Sequence, residues 1–475
     1  MRRLRQLAER TPATRERYVD LLRALAITMV VLGHWGVTVI GYDRAGRPAG
    51  HSALGDLPWA WPLTWVAQVI PVFFLVGGYA NAASLTARRS RLRQLQLGAS
   101  DAAPRPGAVG GTPTGWLVDR SARLARPTTA LLVVLAAGAA VATLLGADPV
   151  EVRTVVWFAT IPLWFLVAYL IVVPLTPPMY ALHRRFGLAV PVVLVGLVAL
   201  GDLGRILGPA GLATGNYVFG WLAVHQLGFA WYDSRTKGDA PEPRGLRRRR
   251  LPLSRTAGTA LLTGGLVAVV LLTVVGPYPV AMLNVPGERL DNAAPPSLAL
   301  LAVAAAQLGL ILLLREPAGR WLRRSGPWQA TIAVNAVVLT VFLWHLTAAV
   351  LLVGLLDALG ALPTPPVGSA AWWGWRVPWL LALAVVLAAL VAVFGPIEAR
   401  TRRPSATGPA GEGARRLRTA LAVLGYAGLV AGLLLNSLTR KAAPEPLGLP
   451  APALVAYLAG AGVLRLLRSG WGSRG

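Results

Sequence analysis

Two ionisable side chains stand eleven residues apart in the first apolar run of the chain, Arg23 and His34 in Asp20-Leu-Leu-Arg23-Ala-Leu-Ala-Ile27-Thr-Met-Val30-Val-Leu-Gly33-His34. At 100° per residue, that spacing leaves them about 20° apart around a helix and about 16 Å apart along it. They share one face, and Ile27 and Val30 form an apolar lane between them. Ionisable groups inside a membrane span are costly and mark function by default. An imidazole can take the proton of an alcohol near neutral pH, and a guanidinium fork binds phosphate oxygens. Asp20, one helical turn before Arg23, is placed to orient that guanidinium. The plainer account is a snorkelling arginine and a histidine bonded to a neighbouring helix. Gly33, which lets another backbone approach beside His34, favours the chemical one.

The elements that must carry this pair are membrane helices. Of 475 residues, 55% are hydrophobic and 14% charged, with mean hydropathy +0.57; a soluble domain carries about 25% charged residues. Apolar spans long enough for the hydrocarbon core fall near 19–40, 63–85, 128–147, 155–175, 188–203, 213–231, 257–276, 298–314, 330–356, 377–397, 418–436 and 451–467. The expected fold is therefore all-α, a polytopic bundle of about twelve transmembrane helices. With both termini cytoplasmic, 38 of the 46 Lys and Arg residues fall on the inner side. That asymmetry is the positive-inside pattern, and it accounts for the net charge of +26 better than nucleic-acid binding does. The first apolar run is too long for a cleavable leader. The absence of cysteine removes disulfide and thiolate chemistry. Only Lys237 and Lys441 are lysines among the basic residues, a bias of GC-rich coding that suggests an actinobacterium.

Residues 87–127 read as an inner loop opening on Arg88, Arg89, Arg91 and Arg93 and crossing a flexible stretch at 98–115. It closes on Arg120-Ser-Ala-Arg123-Leu-Ala-Arg126-Pro127. Residues 234–256, with Arg247–Arg250, are a second basic loop, and 398–417 reads as a Gly/Pro/Arg-rich linker. The outer loops 41–62, 277–297 and 357–376 are rich in Trp, Pro and Gly, and Trp59, Trp61, Trp372, Trp373 and Trp375 form either an interfacial belt or a stacking wall for a ring-bearing acceptor. His345, in the same span as Asn335, either positions a substrate or bonds another helix. His225 with Gln226 reads as structural, and His51 and His183 as incidental loop residues. The His, Asp and Glu spacing fits no metal site. There is no phosphate-cradling loop and no Gly-x-Ser-x-Gly elbow.

Several of these segments together resemble acyltransferase family 3, the integral-membrane O-acyltransferases. Arg17-x2-Asp20-x2-Arg23 leading to Gly33-His34 is similar to the family's opening helix, with its Arg-x10-His spacing. Phe73-Phe74-Leu-Val-Gly77-Gly78-Tyr79 resembles its Phe-Phe-x-x-Ser-Gly-Phe. Arg120-x2-Arg123-x2-Arg126-Pro127 looks like the basic segment opening its third helix. Leu163-Trp164-Phe165-Leu166 and Phe342-Leu-Trp344-His345 resemble later motifs. Gly77 stands where the family has Ser, so the hydroxyl's hydrogen bond falls to another group, such as Tyr79 or Asn81. The resemblance covers roughly 15–400, ten helices, with two more beyond.

The resemblance implies transfer of an acyl group, acetyl by default, from cytoplasmic acyl-CoA to a hydroxyl of a carbohydrate or lipid-linked acceptor. The protein would sit in a bacterial cytoplasmic membrane and hold no permanently bound cofactor. His34 is then the expected general base and Arg23 its catalytic partner. Arg120, Arg123 and Arg126 are expected on the CoA phosphates, and Asp20, Tyr79, Asn81, Trp164 and His345 around the substrates. The expected organisation is a basic N-terminus (1–18), a ten-helix acyltransferase domain (19–397), the linker (398–417), two additional helices (418–467) and a tail (468–475). The rival readings are a transporter or flippase using the same buried polar groups as a pathway, and a structural scaffold, which leaves the Arg–His pair unexplained.

Overall fold

The computed structural model describes residues 15–44, 46–97, 113–236, 250–399 and 412–469. The N-terminal arginines before Arg15, residues 98–112 of the expected flexible stretch, Arg247–Arg249, most of the expected linker and the tail beyond 469 lie outside the described residues. Fourteen helices of twelve or more residues follow in chain order among them. They are α1 (Arg17–Val37), α2 (Ile70–Leu97), α3 (Pro113–Leu144), α4 (Pro149–Thr160), α5 (Leu163–Phe186), α6 (Ala189–Leu207) and α7 (Asn216–Thr236). Then come α8 (Arg255–Val270), α9 (Leu298–Trp321), α10 (Ser325–Ala336), α11 (Val338–Ala358), α12 (Ala370–Ala399), α13 (Glu412–Leu438) and α14 (Ala451–Arg468). The chain is an all-α, multi-pass membrane protein, and eleven of these helices are long and apolar enough to cross a bilayer.

Three helices fall outside the eleven, each for a physical reason. The span expected at 155–175 breaks around Ile161 and Pro162, leaving the short α4 ahead of α5. The span expected at 330–356 breaks at Val337, separating the short α10 from α11. The span expected at 213–231 is α7, long enough to cross but enriched in polar groups; 14 of its 21 residues are buried, so it faces protein rather than lipid. Other elements differ from the expected loops, α2 running on through Arg88, Arg89, Arg91 and Arg93 to Leu97 and α13 beginning at Glu412 within the expected linker. α3 begins at Pro113, so Arg120, Arg123 and Arg126 are helical rather than in a loop, with Pro127 taken up inside the helix. Within and just before the expected loop 41–62, β1 (Thr38–Tyr42) and β2 (Pro48–Ser52) pair as antiparallel strands.

The chain divides into two compact units. One comprises residues up to 84, 175–338 and 363–378; the other comprises 85–174, 339–362 and 379–475. In the first, glycines let helices approach closely, as membrane packing favours. A Cβ on Gly265 would lie 2.5 Å from the Ala306 nitrogen, and one on Gly309 would lie 2.3 Å from the Leu262 nitrogen, so α8 and α9 touch backbone to backbone. In the second unit the hairpin of α13 and α14 closes the same way, with Gly460 against the Gly425 carbonyl and Gly432 against the Ala453 carbonyl. This hairpin is tied to α3 and α4. The Tyr457 hydroxyl donates to the Ala125 carbonyl at 2.9 Å. Arg153, fully buried, donates to the Asn436 side chain and to the carbonyls of Asn436, Thr439 and Gly448. Those acceptors include carbonyls at the end of α13, where helix carbonyls lack intrahelical partners.

Candidate active site

α1 has one face against protein and one against lipid. Leu25, Met29 and Leu32 are exposed, whereas Ile27 is 1% exposed. At 100° per residue, His34 lies about 20° and Arg23 about 40° from Ile27, so both point to the buried side. Asp20 sits there too, its side chain 8% exposed, and it contacts Arg23 at 3.4 Å. Its closer partner is Arg15, whose Nε and Nη2 reach the two carboxylate oxygens at 2.6 and 3.1 Å. That bond raises the Arg15 pKa above its ordinary value. The Asp20 carbonyl also accepts from Asn335 of α10 at 2.8 Å, and the Tyr18 hydroxyl donates to the Ile311 carbonyl of α9 at 3.0 Å. Glu16, just before α1, pairs with Arg235 at the end of α7. His34 occupies the last turn of α1, half-buried, and its carbonyl accepts from the Thr38 hydroxyl at 2.6 Å.

α2 carries Tyr79 and Asn81. Gly78 meets α7 so closely that a Cβ there would lie 2.1 Å from the His225 carbonyl oxygen, and Gly228 approaches Leu75 in return. This crossing explains the second glycine of Gly77-Gly78-Tyr79 without any role in chemistry. It also buries Asn81 completely, with its amide nitrogen 3.1 Å from His225 Nε2 and 3.5 Å from the Thr176 hydroxyl. The Asn81 Oδ1 atom is buried and makes no hydrogen bond to a described residue. Tyr79 packs its ring against Trp231 and Tyr232, at 5.1 and 5.4 Å.

The remaining expected residues belong to the second unit. On α3, Arg120 donates to the Tyr169 hydroxyl of α5 at 2.6 Å, Arg123 is exposed and Arg126 is half-buried. Asp119, beside them, faces Arg468 of α14 at 3.9 Å. Trp164 is half-buried next to Phe165, whose ring meets Phe342 edge-on at 5.4 Å. His345 is fully buried, and its Nδ1 lies 2.6 Å from the Phe342 carbonyl. A carbonyl only accepts, so Nδ1 carries the proton, and in the neutral ring Nε2 holds the lone pair. Glu398 receives the Leu339 and Thr340 amides, anchoring the start of the helix that carries this motif.

Within the first unit the structure thus joins Asp20 to Arg23 and sends Asn81 to His225. Within the second it joins Arg120 to Tyr169. His183, expected in a loop, lies instead in the last turn of α5, buried, with Nε2 4.0 Å from Asp233, which accepts from the Tyr180 hydroxyl at 2.7 Å. The only sequence signal for it was the phase of α5, in which Tyr180 and His183 sit three residues apart on one face. His51 is exposed on β2 and pairs with Asp56 at 3.0 Å. Among the described residues no three His, Asp or Glu side chains gather as a metal ion would require.

The family model described as an acyltransferase domain, that of acyltransferase family 3, matches residues 16–396. The chain belongs to this family. No curated protein and no solved structure matches it. The match takes in α1 to α11 and nearly all of α12, and ends before α13 and α14. The protein is therefore a membrane acyltransferase.

Proposed function

We propose that this acyltransferase moves an acyl group, acetyl by default, from cytoplasmic acyl-CoA to a hydroxyl of a carbohydrate or lipid-linked acceptor on the other side of a bacterial cytoplasmic membrane. The observation that carries the reading is the placement of Arg23 and His34 on the buried face of one membrane helix. His34 takes the acceptor's hydroxyl proton while the oxygen attacks the thioester carbonyl. The tetrahedral oxyanion then collapses, the C–S bond breaks, and the imidazolium returns the proton to the departing thiolate. The products are an ester and free CoA, with no net proton change and no resident cofactor.

Arg23 lies toward the basic end of α1, with Asp20 holding its guanidinium. Arg120, Arg123 and Arg126 supply cations for the CoA phosphates, where planar forks bind well. An extended pantetheine arm covers the ~16 Å between the Arg23 and His34 levels. Tyr79, Asn81, Trp164 and His345 are assigned to substrate positioning. Catalysis is assigned to 19–397, with α13 and α14 as an addition to that domain. The Lys and Arg distribution supports cytoplasmic termini, and the composition supports an actinobacterial source.

Oriented proteoliposomes given acetyl-CoA on one side, with a thiol reagent in each compartment, test this reading. Acceptor-dependent thiol release only at the arginine-rich face is expected, because CoA, a polyanion, cannot cross the ~30 Å hydrocarbon core unaided. Solute flux with no free CoA under any acceptor would replace acyl transfer with transport.

A further inference from the structure

We infer that Arg376, in the first turns of α12, is a positioning residue for acyl transfer: its guanidinium clamps the outer end of α1 and thereby fixes the turn that holds His34. The inference rests on the general-base role proposed above for His34. His34 lies in the last turn of its helix. The final carbonyls of a helix have no intrahelical partners, and terminal turns open at little cost. A general base, by contrast, must stay within hydrogen-bond reach of the proton it takes. A displacement of ~1 Å at a reacting centre can cost about a hundredfold in rate.

The structure closes this end in two steps. The Thr38 amide and the Thr38 hydroxyl both bond the His34 carbonyl, the hydroxyl at 2.6 Å. The Thr38 carbonyl in turn accepts from Arg376 Nη1 at 2.9 Å. The guanidinium lies 4.0 Å over the ring of Trp372. Trp372 is 2% exposed and packs with Val39 of β1 and with Ala53 just after β2. The planar cation is thus held by a ring on one side and a carbonyl at its edge, a combination that a lysine cannot reproduce. Tryptophan, clamp and strands all belong to the unit that contains α1.

Two further observations say the cation is kept for this contact. Arg376 makes no ion pair with any described residue, and its Nε is buried without a hydrogen-bond partner there. Its partner is therefore a backbone carbonyl, at the negative end of the α1 dipole, where a cation is favoured. The orientation proposed from the Lys and Arg distribution also puts it on the outer side, against the charge bias, so topology signalling does not explain it.

The test uses the full-length protein in detergent, with acetyl-CoA as donor and a total cell-envelope extract as acceptor source. R376A should lower kcat about 10- to 100-fold, within the cost of a small misplacement. The KM for acetyl-CoA should stay within about twofold, since uniform binding is untouched. Hydrogen exchange of the amides at 34–39 should rise while the other helices keep their protection. R376K, which keeps the cation and a donor but loses the planar stack, should recover part of the rate. T38V should shift rate and exchange in the same direction, and it replaces R376A if that variant fails to accumulate. A wild-type kcat in R376A overturns the inference, and so does a rate loss without faster exchange at 34–39. If H34A instead keeps full turnover while R376A still loosens 34–39, the general-base reading fails and the clamp stands.

Discussion

The two ends of α1 are held by different forces. At the N-terminal end, ion pairs of Asp20 with Arg15 and Arg23 and of Glu16 with Arg235 add to carbonyl contacts made by Asn335 and Tyr18. At the C-terminal end there is no ion pair among the described residues, and the contacts are to backbone carbonyls, from Thr38 to His34 and from Arg376 to Thr38. The arginines of these pairs are 30 to 50% exposed although Asp20 is buried, and ion pairs with such solvent-facing partners are weak and screened by salt. Backbone contacts behind a buried tryptophan are neither. Under the proposed function, the ion-paired end carries the cation that meets the charged donor, and the other end carries the base. The same contrast extends to Arg153, which, like Arg376, spends its donors on carbonyls, while Arg123 lies exposed.

The largest effect is expected at His34. H34A should reduce turnover by about 10²- to 10⁴-fold, the usual worth of general-base catalysis, with membrane insertion unchanged. A purified variant that keeps a tenth of wild-type turnover would end the general-base role. A structural effect comes next. In Gly78→Ala the new methyl would meet backbone of α7 at 2.1 Å, so nothing flexible can give way. We expect a loss of about 1–3 kcal/mol, seen as a lower melting midpoint in detergent. An unchanged midpoint would mean that α2 and α7 are less closely apposed than described.

The basic cluster on α3 should respond through binding rather than rate. R123A and R126A should each weaken CoA affinity about tenfold, as loss of a charged hydrogen bond does. Calorimetry should find the wild-type affinity falling steeply as salt rises, and equal CoA affinities in wild type and variants would return the cluster to topology signalling. The smallest effect belongs to Asp20→Asn. Its partners are 50% and 30% exposed, which puts such pairs at about 0–1 kcal/mol, so at most about fivefold in kcat/KM. That loss should shrink as salt rises. A salt-independent loss would show the N-terminal end of α1 to be as rigid as its C-terminal end.

Short-range contacts are legible in the sequence, and long-range ones are not. The shared face of Arg23 and His34 follows from helical phase alone, and burial at Ile27 and exposure at Leu25, Met29 and Leu32 agree with it. The Asp20–Arg23 contact is equally local. The partner of Asn81 is not, since His225 lies 144 residues away and reaches it only because Gly78 and Gly228 let α2 and α7 touch. α7 itself was expected as an ordinary span, because an apolar run carries no mark of whether lipid or protein surrounds it. The helical start of α3 was hidden by its arginines, which weaken an apolar signal without weakening a helix.

Hydrophobic runs, charge placement and the spacing of Arg23 and His34 are properties of neighbouring residues, and helix geometry converts them directly into spans and faces. By itself the sequence therefore determined a multi-pass α-helical protein, its orientation as a prediction, and the pair that carries its proposed chemistry. Which side chains secure that pair was decided only in three dimensions. The Arg376 bond to Thr38 spans 338 residues, and the Asn335 bond to Asp20 spans 315. Contacts of that range are chosen by which helices pack together, and no local period encodes that choice.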